Sequence, residues 1–189
     1  ETRIPREEII QHERYMRRML PNNSGLIMEI VGSYRRGAKT SGDIDVIFTH
    51  QNESDGLRVF KEFISLLKES GYITHILAKG KKKSMFIAKL KDSKRHRRID
   101  FLFAPKEQYP FTTLYFTGSK FFNIYMRRYA LEKGISLSEQ GMKNTKTKQF
   151  IPADNINTER DIFTFLGLKY IEPTKRRGRG DIQLLEAGN

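Results

Sequence analysis

The sequence predicts an α+β fold in which a mixed region of strands and helices is followed by a smaller α+β region. Up to about residue 106, short apolar segments of strand length alternate with longer segments whose apolar residues recur at helical spacing. Beyond that point the pattern changes to helices separated by short extended pieces. Hydrophobic residues make up 38% of the chain and aromatic residues 11%, which is the composition of a folded globule. We therefore predict two subdomains with a boundary near residue 106.

Helices are predicted where apolar residues recur every three or four positions. The first helix should carry acidic residues in its first turn, where the helix dipole favours them. Glycines end two of the others, and Thr158 with Asp161 three residues later opens the last one. The predicted helices are, in chain order, the segment from Arg3 to about Leu20, Asp55–Ser70, Phe121–Lys133 and Thr158–Leu166.

Strands are predicted where short apolar runs are bounded by turn residues. In the last of these runs, alternation along the strand places Ile99, Phe101 and Phe103 on the buried face, with Asp100 on the opposite face. The predicted strands are Leu26–Val31, Asp43–Thr49, Tyr72–Leu77, Met85–Leu90 and Arg97–Ala104.

The net charge of +13, from 35 basic and 22 acidic residues, indicates a polyanionic partner. Nucleic acid is the main candidate, and an anionic membrane surface is the alternative. No apolar run approaches the roughly 20 residues of a membrane span, and no N-terminal stretch is typical of a signal peptide. The absence of cysteine excludes disulfides and thiolate metal sites. The chain begins with Glu1 and not with Met, so we expect it to be part of a longer protein.

Two motifs near the start of the chain carry the chemistry. The first is Gly32-Ser33-Tyr34-Arg35-Arg36-Gly37, and the second is Gly42-Asp43-Ile44-Asp45. Since side chains alternate along a strand, Asp43 and Asp45 face the same way, about 6.5–7 Å apart. Two such carboxylates can hold hard cations, which serve phosphate chemistry. The Gly32-Ser33 turn offers N–H groups and a hydroxyl to a phosphate, and Arg36 adds a charge. Without the first motif, Asp43-Ile44-Asp45 would indicate a strand with one face in water.

These two motifs in this order resemble the nucleotidyltransferase superfamily. Three further motifs are similar to the beta-type members of the family X DNA polymerases: Arg3-Ile4-Pro5-Arg6-Glu7-Glu8, Arg97-Arg98-Ile99-Asp100 and Leu114-Tyr115-Phe116-Thr117-Gly118-Ser119. The similarity runs from Arg3 to about Pro173. It implies a nucleotidyltransferase-type palm at residues 1–106, with a small mixed sheet flanked by helices. It also implies a small α+β thumb at 107–174, followed by a basic tail at 175–189 that we expect to be disordered.

The resemblance implies catalytic and metal-binding roles for Asp43, Asp45 and Asp100. The metal would be a pair of Mg²⁺ ions, or Mn²⁺ in their place. For Asp100 the alternative is a simple ion pair with Arg97 or Arg98. The family pattern assigns Arg98 to the primer end and to bracing Asp100. The positions that match triphosphate contacts are Arg3, Gly32, Ser33, Arg36 and Gly42.

Further roles come from the later motifs. By resemblance Tyr115, Phe116 and Gly118 pack beneath the incoming sugar and disfavour a 2′-hydroxyl, although Tyr115 and Phe116 alone would suggest core aromatics. Asn123 and Arg127 lie four residues apart and share a helix face. The family pattern turns Asn123 toward the nucleotide and Arg127 toward the template; the alternative is a solvated face.

Two basic segments remain. The turn with Lys79, Lys81, Lys82 and Lys83 suits backbone phosphates of DNA, or is a solvated loop. The tail from Lys175 to Arg179 is a nuclear signal, a DNA-binding arm or an inert tail.

Three positions depart from the beta-type pattern. Lys120 stands where an acid is usual, next to the nascent base, and we assign it to nucleotide binding. Leu102 replaces an Arg that pairs as the thumb moves, so the same open–closed switching is not assumed. Gln140 replaces an aromatic residue.

The implied activity is gap-filling DNA synthesis, in which dNTPs are added to a primer 3′-OH with pyrophosphate release. Base excision repair or end joining would use it. The expected partners are gapped or primer–template DNA and a dNTP. We expect the protein to be monomeric and not to bind membranes. The nucleus is the expected location, and an organelle or a viral replication site is the alternative. Weak binding to gaps and no lyase activity are expected of this stretch.

An RNA tailing or CCA-adding transferase is one alternative, which Tyr115-Phe116-Thr117-Gly118-Ser119 disfavours. An inactive DNA-binding relative is the other, which the intact carboxylates disfavour.

Overall fold

The computed structural model describes residues 3–178. The chain divides into two compact units. The first unit holds the described residues up to Tyr34 together with Ala38–Lys106, and the second holds Arg35–Gly37 together with the described residues from Glu107 onward. Strands and helices mix in both units, which confirms the α+β prediction.

The first unit contains helices on one side of a five-stranded sheet. Its strands are β1 (Ile4–Pro5), β2 (Ile27–Ile30), β3 (Thr40–Ser41), β4 (Ile44–Thr49), β5 (Ile73–Lys79), β6 (Lys83–Ala88) and β7 (Arg97–Phe103). Its helices are α1 (Arg6–Met19), α2 (Gly32–Arg35), whose last residue falls in the second unit, and α3 (Glu53–Glu69). The large sheet has the order β2-β4-β7-β6-β5, and β1 pairs with β3 separately. Only the β4–β7 pairing in this sheet is parallel among the described residues.

The core of the first unit lies between the sheet and the helices α1 and α3. Phe60 and Phe63 of α3 meet Phe48 of β4 and Phe101 of β7, with ring centroids 5.0–6.2 Å apart. Ile99, Phe101 and Phe103 are each 1% exposed, as the alternation along this strand predicts. Packing one face this tightly leaves the polar residues of β4 and β7 to the opposite face.

The second unit is built around a smaller core. Its helices are α4 (Tyr109–Thr117), α5 (Lys120–Glu132) and α6 (Glu159–Phe165), and its strands are β8 (Ile135–Ser138) and β9 (Gly141–Asn144). A 3-10 turn covers Pro173–Lys175. Phe122, Met126 and Ala130 of α5 are fully buried against Ile162 and Phe163 of α6. The predicted opening of the last helix is confirmed, because Thr158 and Asp161 form a reciprocal capping box.

Helix α4 was not predicted. Six of its nine residues are buried, and three of those six are β-branched threonines. The segment therefore shows neither a one-sided apolar stripe nor a strong helix propensity. Burial in the second core therefore stabilises this helix more than its own sequence does.

The prediction of a disordered tail from residue 175 is wrong for the first residues of that tail. Lys175 ends the 3-10 turn, and Arg176 is fully buried in the second unit. The tail beyond Gly178, including Arg179, lies outside the described residues.

Among residues 3–178, the helices are all too short or too polar to pass through a lipid bilayer.

Candidate active site

Three carboxylates converge at one end of the five-stranded sheet. In the parallel register of β4 and β7, Asp45 lies directly opposite Asp100, and Asp43 comes just before β4 begins. One oxygen of each of the three carboxylates lies within 4.8 Å of the others. Carboxylate oxygens at this spacing are the ligands that a hard divalent cation such as Mg²⁺ prefers. The structure thus brings together all three acids that the sequence assigned to metal binding.

The electrostatics of this cluster favour a cation. Burial raises the pKa of Asp45 to about 7, and the charges of Asp43 and Asp100 add to the rise. Burial, followed by the charge of Asp100, also raises the pKa of Asp43. Arg98 opposes both shifts, and Lys83 opposes that of Asp45. The pKa values stay raised in spite of these cations and of Arg3 beside Asp43, because burial and the charges of the neighbouring carboxylates outweigh them.

The two arginines of Arg97-Arg98 serve different faces of β7. Arg98 Nε donates to Asp100 Oδ1 at 3.0 Å, so the acid is braced by an ion pair. Arg97 points to the core side, where Nε and Nη2 each donate to Glu8 at 2.7 Å. Glu8 also contacts the buried His12 at 3.2 Å. Arg97 is therefore a structural residue, and the ion pair weighed as the alternative role of Asp100 is formed by Arg98 within the acidic cluster.

Gly32 allows the chain to pass close to Asp45. Its φ is +67°, and a Cβ at this position would lie 2.9 Å from Asp45 Oδ2. Helix α2 begins at this glycine, and the next residue, Ser33, shares a 2.6 Å hydrogen bond with the hydroxyl of Ser41. The motif that the sequence predicts to bind phosphate is thus placed beside the acidic cluster, and the hydroxyl of Ser33 is held by Ser41.

Arg3 and Gly42 lie near each other in the same unit. Arg3 donates from Nε to Thr40 Oγ1 at 2.9 Å and from Nη2 to the Thr40 carbonyl at 3.1 Å. A Cβ built on Gly42 would lie 3.7 Å from Arg3 Nη1. Both residues are exposed, so their proposed contacts with a triphosphate are sterically open.

The second unit gathers a different set of predicted residues. Asn123 Nδ2 donates to the Tyr115 carbonyl at 2.7 Å, and the Arg127 guanidinium lies 4.4 Å from the Tyr115 ring centre. Phe116 packs edge-on against Tyr115, with centroids 4.9 Å apart. Tyr115, Asn123 and Arg127 line one small pocket together with Ser138. The expected shared face of Asn123 and Arg127 is confirmed, whereas their assigned partners stay predictions.

Arg36 and Gly118 also lie together in the second unit. Arg36 Nη1 donates to the Thr117 carbonyl at 2.6 Å, and burial lowers the pKa of its guanidinium. A Cβ on Gly118, whose φ is +70°, would lie 3.0 Å from Arg36 Nη1. The Gly118–Ser119 peptide bond is cis. Lys120 follows as the exposed first residue of α5.

The predicted lysine turn forms the tip of the β5–β6 hairpin. Lys79 and Lys83 are strand residues, and the Gly80 N–H donates to the Lys83 carbonyl at 2.8 Å. Lys82 pairs with Glu53 at 3.1 Å, whereas Lys81 is exposed at the tip. Lys83 is also close enough to Asp45 for its positive charge to oppose the rise in the pKa of that carboxyl group.

Both units match known families along their length. Residues 3–106 match the family profile of the DNA polymerase beta palm, and residues 112–177 match that of the DNA polymerase beta thumb. The chain belongs to the family X DNA polymerases.

Curated relatives support this membership of family X. DNA polymerase lambda of Rattus norvegicus is 34% identical over 191 residues, which cover 92% of this chain and 33% of the relative. DNA polymerase lambda of Arabidopsis thaliana is 28% identical and covers 93% of the chain and 36% of the relative. The DNA nucleotidylexotransferase of Xenopus laevis is 28% identical, and the match covers 79% of this chain and 36% of the relative. The family X chain thus spans about a third of the length of these relatives.

A buried ion cluster in this family X chain was not foreseen from the sequence. Glu159 is 7% exposed, and its two carboxylate oxygens accept hydrogen bonds from Arg35 and from the fully buried Arg176 at 2.8–3.2 Å. Burial alone would raise the pKa of Glu159, but the hydrogen bonds from Arg176 and Arg35 outweigh it and lower that pKa. Arg35 also donates to Thr117 Oγ1 at 2.9 Å, next to the carbonyl that Arg36 contacts. Since Arg35 and Glu159 are 124 positions apart, local sequence patterns could not reveal the cluster.

The raised pKa of Asp45 predicts a pH-dependent gain in stability for Asp45→Asn. An aspartate in the unfolded chain titrates near 3.9, so between about pH 4 and 7 the folded protein holds a proton that the unfolded chain has lost. Stability therefore falls as the pH rises through this window. Asparagine carries no charge, and without metal the variant should be more stable than wild type at pH 8 by roughly 1–3 kcal/mol.

Urea unfolding with a chelator at pH 4 and pH 8 measures this difference, which should disappear at pH 4. Asp92→Asn, which changes an exposed carboxylate outside the cluster, is the control and should have no such effect. Equal stability of Asp45→Asn and wild type at pH 8 would show that the pKa of Asp45 is not raised in the folded protein. Added Mg²⁺ should stabilise wild type by mass action and leave the variant unchanged.

Proposed function

We propose that the chain is the catalytic part of a DNA-directed DNA polymerase of the gap-filling type. It would add dNTPs to a primer 3′-OH and release pyrophosphate. The observation that carries this proposal is the convergence of Asp43, Asp45 and Asp100 within 4.8 Å, next to the Gly32-Ser33 turn. Membership of family X supports the same reaction.

We propose that the three acids hold two divalent cations and that these are Mg²⁺. Bound there, the ions would activate the attacking hydroxyl and neutralise charge on the phosphates. Asp43, Asp45 and Asp100 would supply the oxygen ligands. Arg98 would hold Asp100 in one orientation through the 3.0 Å hydrogen bond. Because the pKa of Asp45 is raised to about 7, binding of the cations would displace a proton from Asp45 in part of the molecules at neutral pH.

Nucleotide binding is proposed for both units. In the first unit, Ser33, Gly32, Gly42 and Arg3 would contact the triphosphate, through N–H, hydroxyl and guanidinium donors. In the second unit, Tyr115, Phe116 and Gly118 would pack against the sugar. A 2′-hydroxyl would meet this packed segment, which is why we propose selection of deoxynucleotides.

The remaining nucleotide and DNA contacts follow from position and charge. Arg36 would contact the triphosphate through the donors that Thr117 leaves unused. Asn123 and Arg127 line one pocket with Tyr115, which supports contacts with the nascent base pair. Lys79, Lys81 and Lys83 at the β5–β6 hairpin would contact backbone phosphates without reading sequence.

Primer extension tests the proposal. A labelled primer on one-nucleotide-gapped DNA is incubated with Mg²⁺ and either dNTPs or rNTPs. Templated addition of dNTPs is the expected result. Untemplated addition of rNTPs would instead indicate an RNA-tailing transferase, and DNA binding without extension would indicate an inactive relative.

Lys120→Asp should weaken nucleotide binding. Lys120 is the exposed first residue of α5, and it would add positive charge beside the incoming nucleotide. We expect the dNTP Kd to rise about fivefold, the effect of one exposed charge pair of about 1 kcal/mol. Single-turnover kinetics measures this Kd.

The fold should tolerate this substitution, because an acid in the first turn of α5 is favoured by the helix dipole. Lys61→Asp, on the exposed face of α3, is the matched control for the change in net charge. An unchanged or tighter Kd for Lys120→Asp would show that Lys120 does not contribute to nucleotide binding.

Four expectations stay predictions. The limits of the palm (1–106) and the thumb (107–174) are our proposal for the two subdomains. The monomeric state and the nuclear location also stay predictions, as does the choice between base excision repair and end joining.

A further inference from the structure

The turn that follows β9 concentrates positive charge on the surface of the second unit. Lys143, Lys146 and Lys148 are all exposed. Within residues 3–178, none of the three forms an ion pair with a carboxylate. We name residues 143–150, which end at Phe150, the lysine–phenylalanine turn. This turn has no part in the functional assignments above.

The backbone of this turn is held by its own hydrogen bonds. Asn144 Oδ1 accepts from the N–H groups of Lys146 and Thr147 at 2.8 and 3.1 Å. The Asn144 carbonyl accepts from the Lys148 N–H at 2.8 Å, and the Asn144 N–H donates to the Gln149 carbonyl at 2.9 Å. The lysines are therefore carried on a preformed loop, which lowers the entropic cost of binding a ligand.

Phe150 gives the turn a second binding property. Its side chain is 51% exposed, and the Lys143 ammonium lies 4.8 Å from the ring centre. Lysines beside an exposed aromatic ring suit a single-stranded nucleic acid, because the ammonium groups follow the phosphates while an unpaired base stacks on the ring. A duplex keeps its bases stacked inside and would use only the charge. The exposed ring therefore favours a single strand over a duplex.

The lysine–phenylalanine turn lies a short distance from the pocket around Arg127. Strands β8 and β9 are antiparallel, with Ser138 opposite Gly141 at one end and Ile135 opposite Asn144 at the other. Ser138 lines the pocket, and Asn144 begins the turn. The three residues from Ser138 to Ile135 span about 10 Å. That is the length of about three stacked nucleotides at 3.4 Å each.

We propose that the lysine–phenylalanine turn binds the unpaired template strand ahead of the nascent base pair. This inference rests on the proposed function, in which Arg127 faces the template. A template strand leaving Arg127 reaches the turn within a few nucleotides, where Lys146 and Lys148 contact its phosphates and Phe150 stacks with one base. The turn would hold the template in place during each addition.

Fluorescence anisotropy with two primer–template duplexes tests the proposal. One duplex has a single unpaired template nucleotide, and the other has about eight. Surfaces that bind single strands cover roughly 4–16 nucleotides, so the longer overhang is long enough to contact the turn. Wild type should bind the long overhang about tenfold more tightly than the short one. Lys146→Gln/Lys148→Gln should lose most of this gain and lower the salt slope by about 1.4, from two single-strand phosphate contacts. Phe150→Ala should also lose part of the gain, about fivefold, with no change in salt slope.

Two matched controls isolate the turn. Lys61→Gln/Lys68→Gln removes the same charge from the exposed face of α3, and Phe165→Ala removes another exposed ring of the second unit. Both should keep the full overhang gain. Variants of the turn that bind the long overhang like wild type would overturn the proposal, and so would an equal loss of binding to both duplexes. Wild type without any DNA binding would overturn the proposed function itself, whereas normal extension without an overhang gain would overturn only this inference.

Discussion

Replacing Asp100 with alanine should abolish primer extension and leave DNA binding largely intact. Asp100 lies opposite Asp45 in the parallel register and completes the set of three carboxylates. Without its oxygens, the remaining two acids cannot hold the catalytic cation at the primer end. We expect turnover to fall by on the order of 10³-fold or more, the scale on which removal of a group that stabilises transition-state charge acts.

DNA binding should survive because the substitution removes negative charge. The Arg98 guanidinium loses its partner and becomes available to the primer phosphates, so the Kd for gapped DNA should stay the same or fall. Gel-based extension and anisotropy measure the two properties separately. Asp92→Ala, which removes an exposed carboxylate from the loop before β7, is the control and should extend primers normally. Turnover retained by Asp100→Ala would remove this residue from the reaction.

Glu159→Gln should strongly destabilise the fold of the second unit. The carboxylate is the shared partner of Arg35 and the fully buried Arg176. An amide cannot balance two guanidinium charges, so Arg176 would be left buried without a counter-charge. Loss of one member of a buried pair costs about 3–5 kcal/mol, and we expect the free energy of unfolding to fall by that amount. Urea unfolding measures it.

Two further variants make this prediction specific. Glu132→Gln changes an exposed carboxylate on α5 and should alter stability by less than about 0.5 kcal/mol. Glu159→Gln/Arg176→Met removes the stranded charge together with its partner and should recover part of the loss, since an apolar side chain suits the rings of Phe163 and Tyr170 around Arg176. A wild-type stability for Glu159→Gln would show that the cluster does not hold the second unit together.

The sequence predicts the local parts of this molecule well. The placement of Asp43 and Asp45 depends on strand alternation over a few residues, and the capping box of Thr158 and Asp161 depends on three. Most predicted strands and helices are present, with ends that shift by a few residues. For example, the first helix begins at Arg6, because Ile4 and Pro5 pair with β3 in a short strand.

Long-range pairing is what the sequence could not supply. Both Arg97 and Arg98 were candidate partners for Asp100, and only the position of Glu8 on α1 explains why Arg97 turns to the core. The sequence predicts that Arg176 lies in a disordered basic tail, yet in the structure it is buried and donates a hydrogen bond to Glu159. Helix α4 depends on the core that surrounds it. In each case the partner comes from a distant part of the chain.

The insertion of β7 between β4 and β6 determines when the acidic cluster can form during synthesis of the chain. Strand β7 is the last of the five to leave the ribosome, yet it takes the middle position and brings Asp100 with it. Parallel pairing across so long a stretch of chain is slow compared with local hairpin formation. A chain that ends before β7 therefore has only two of the three acids and lacks the third carboxylate of the cluster.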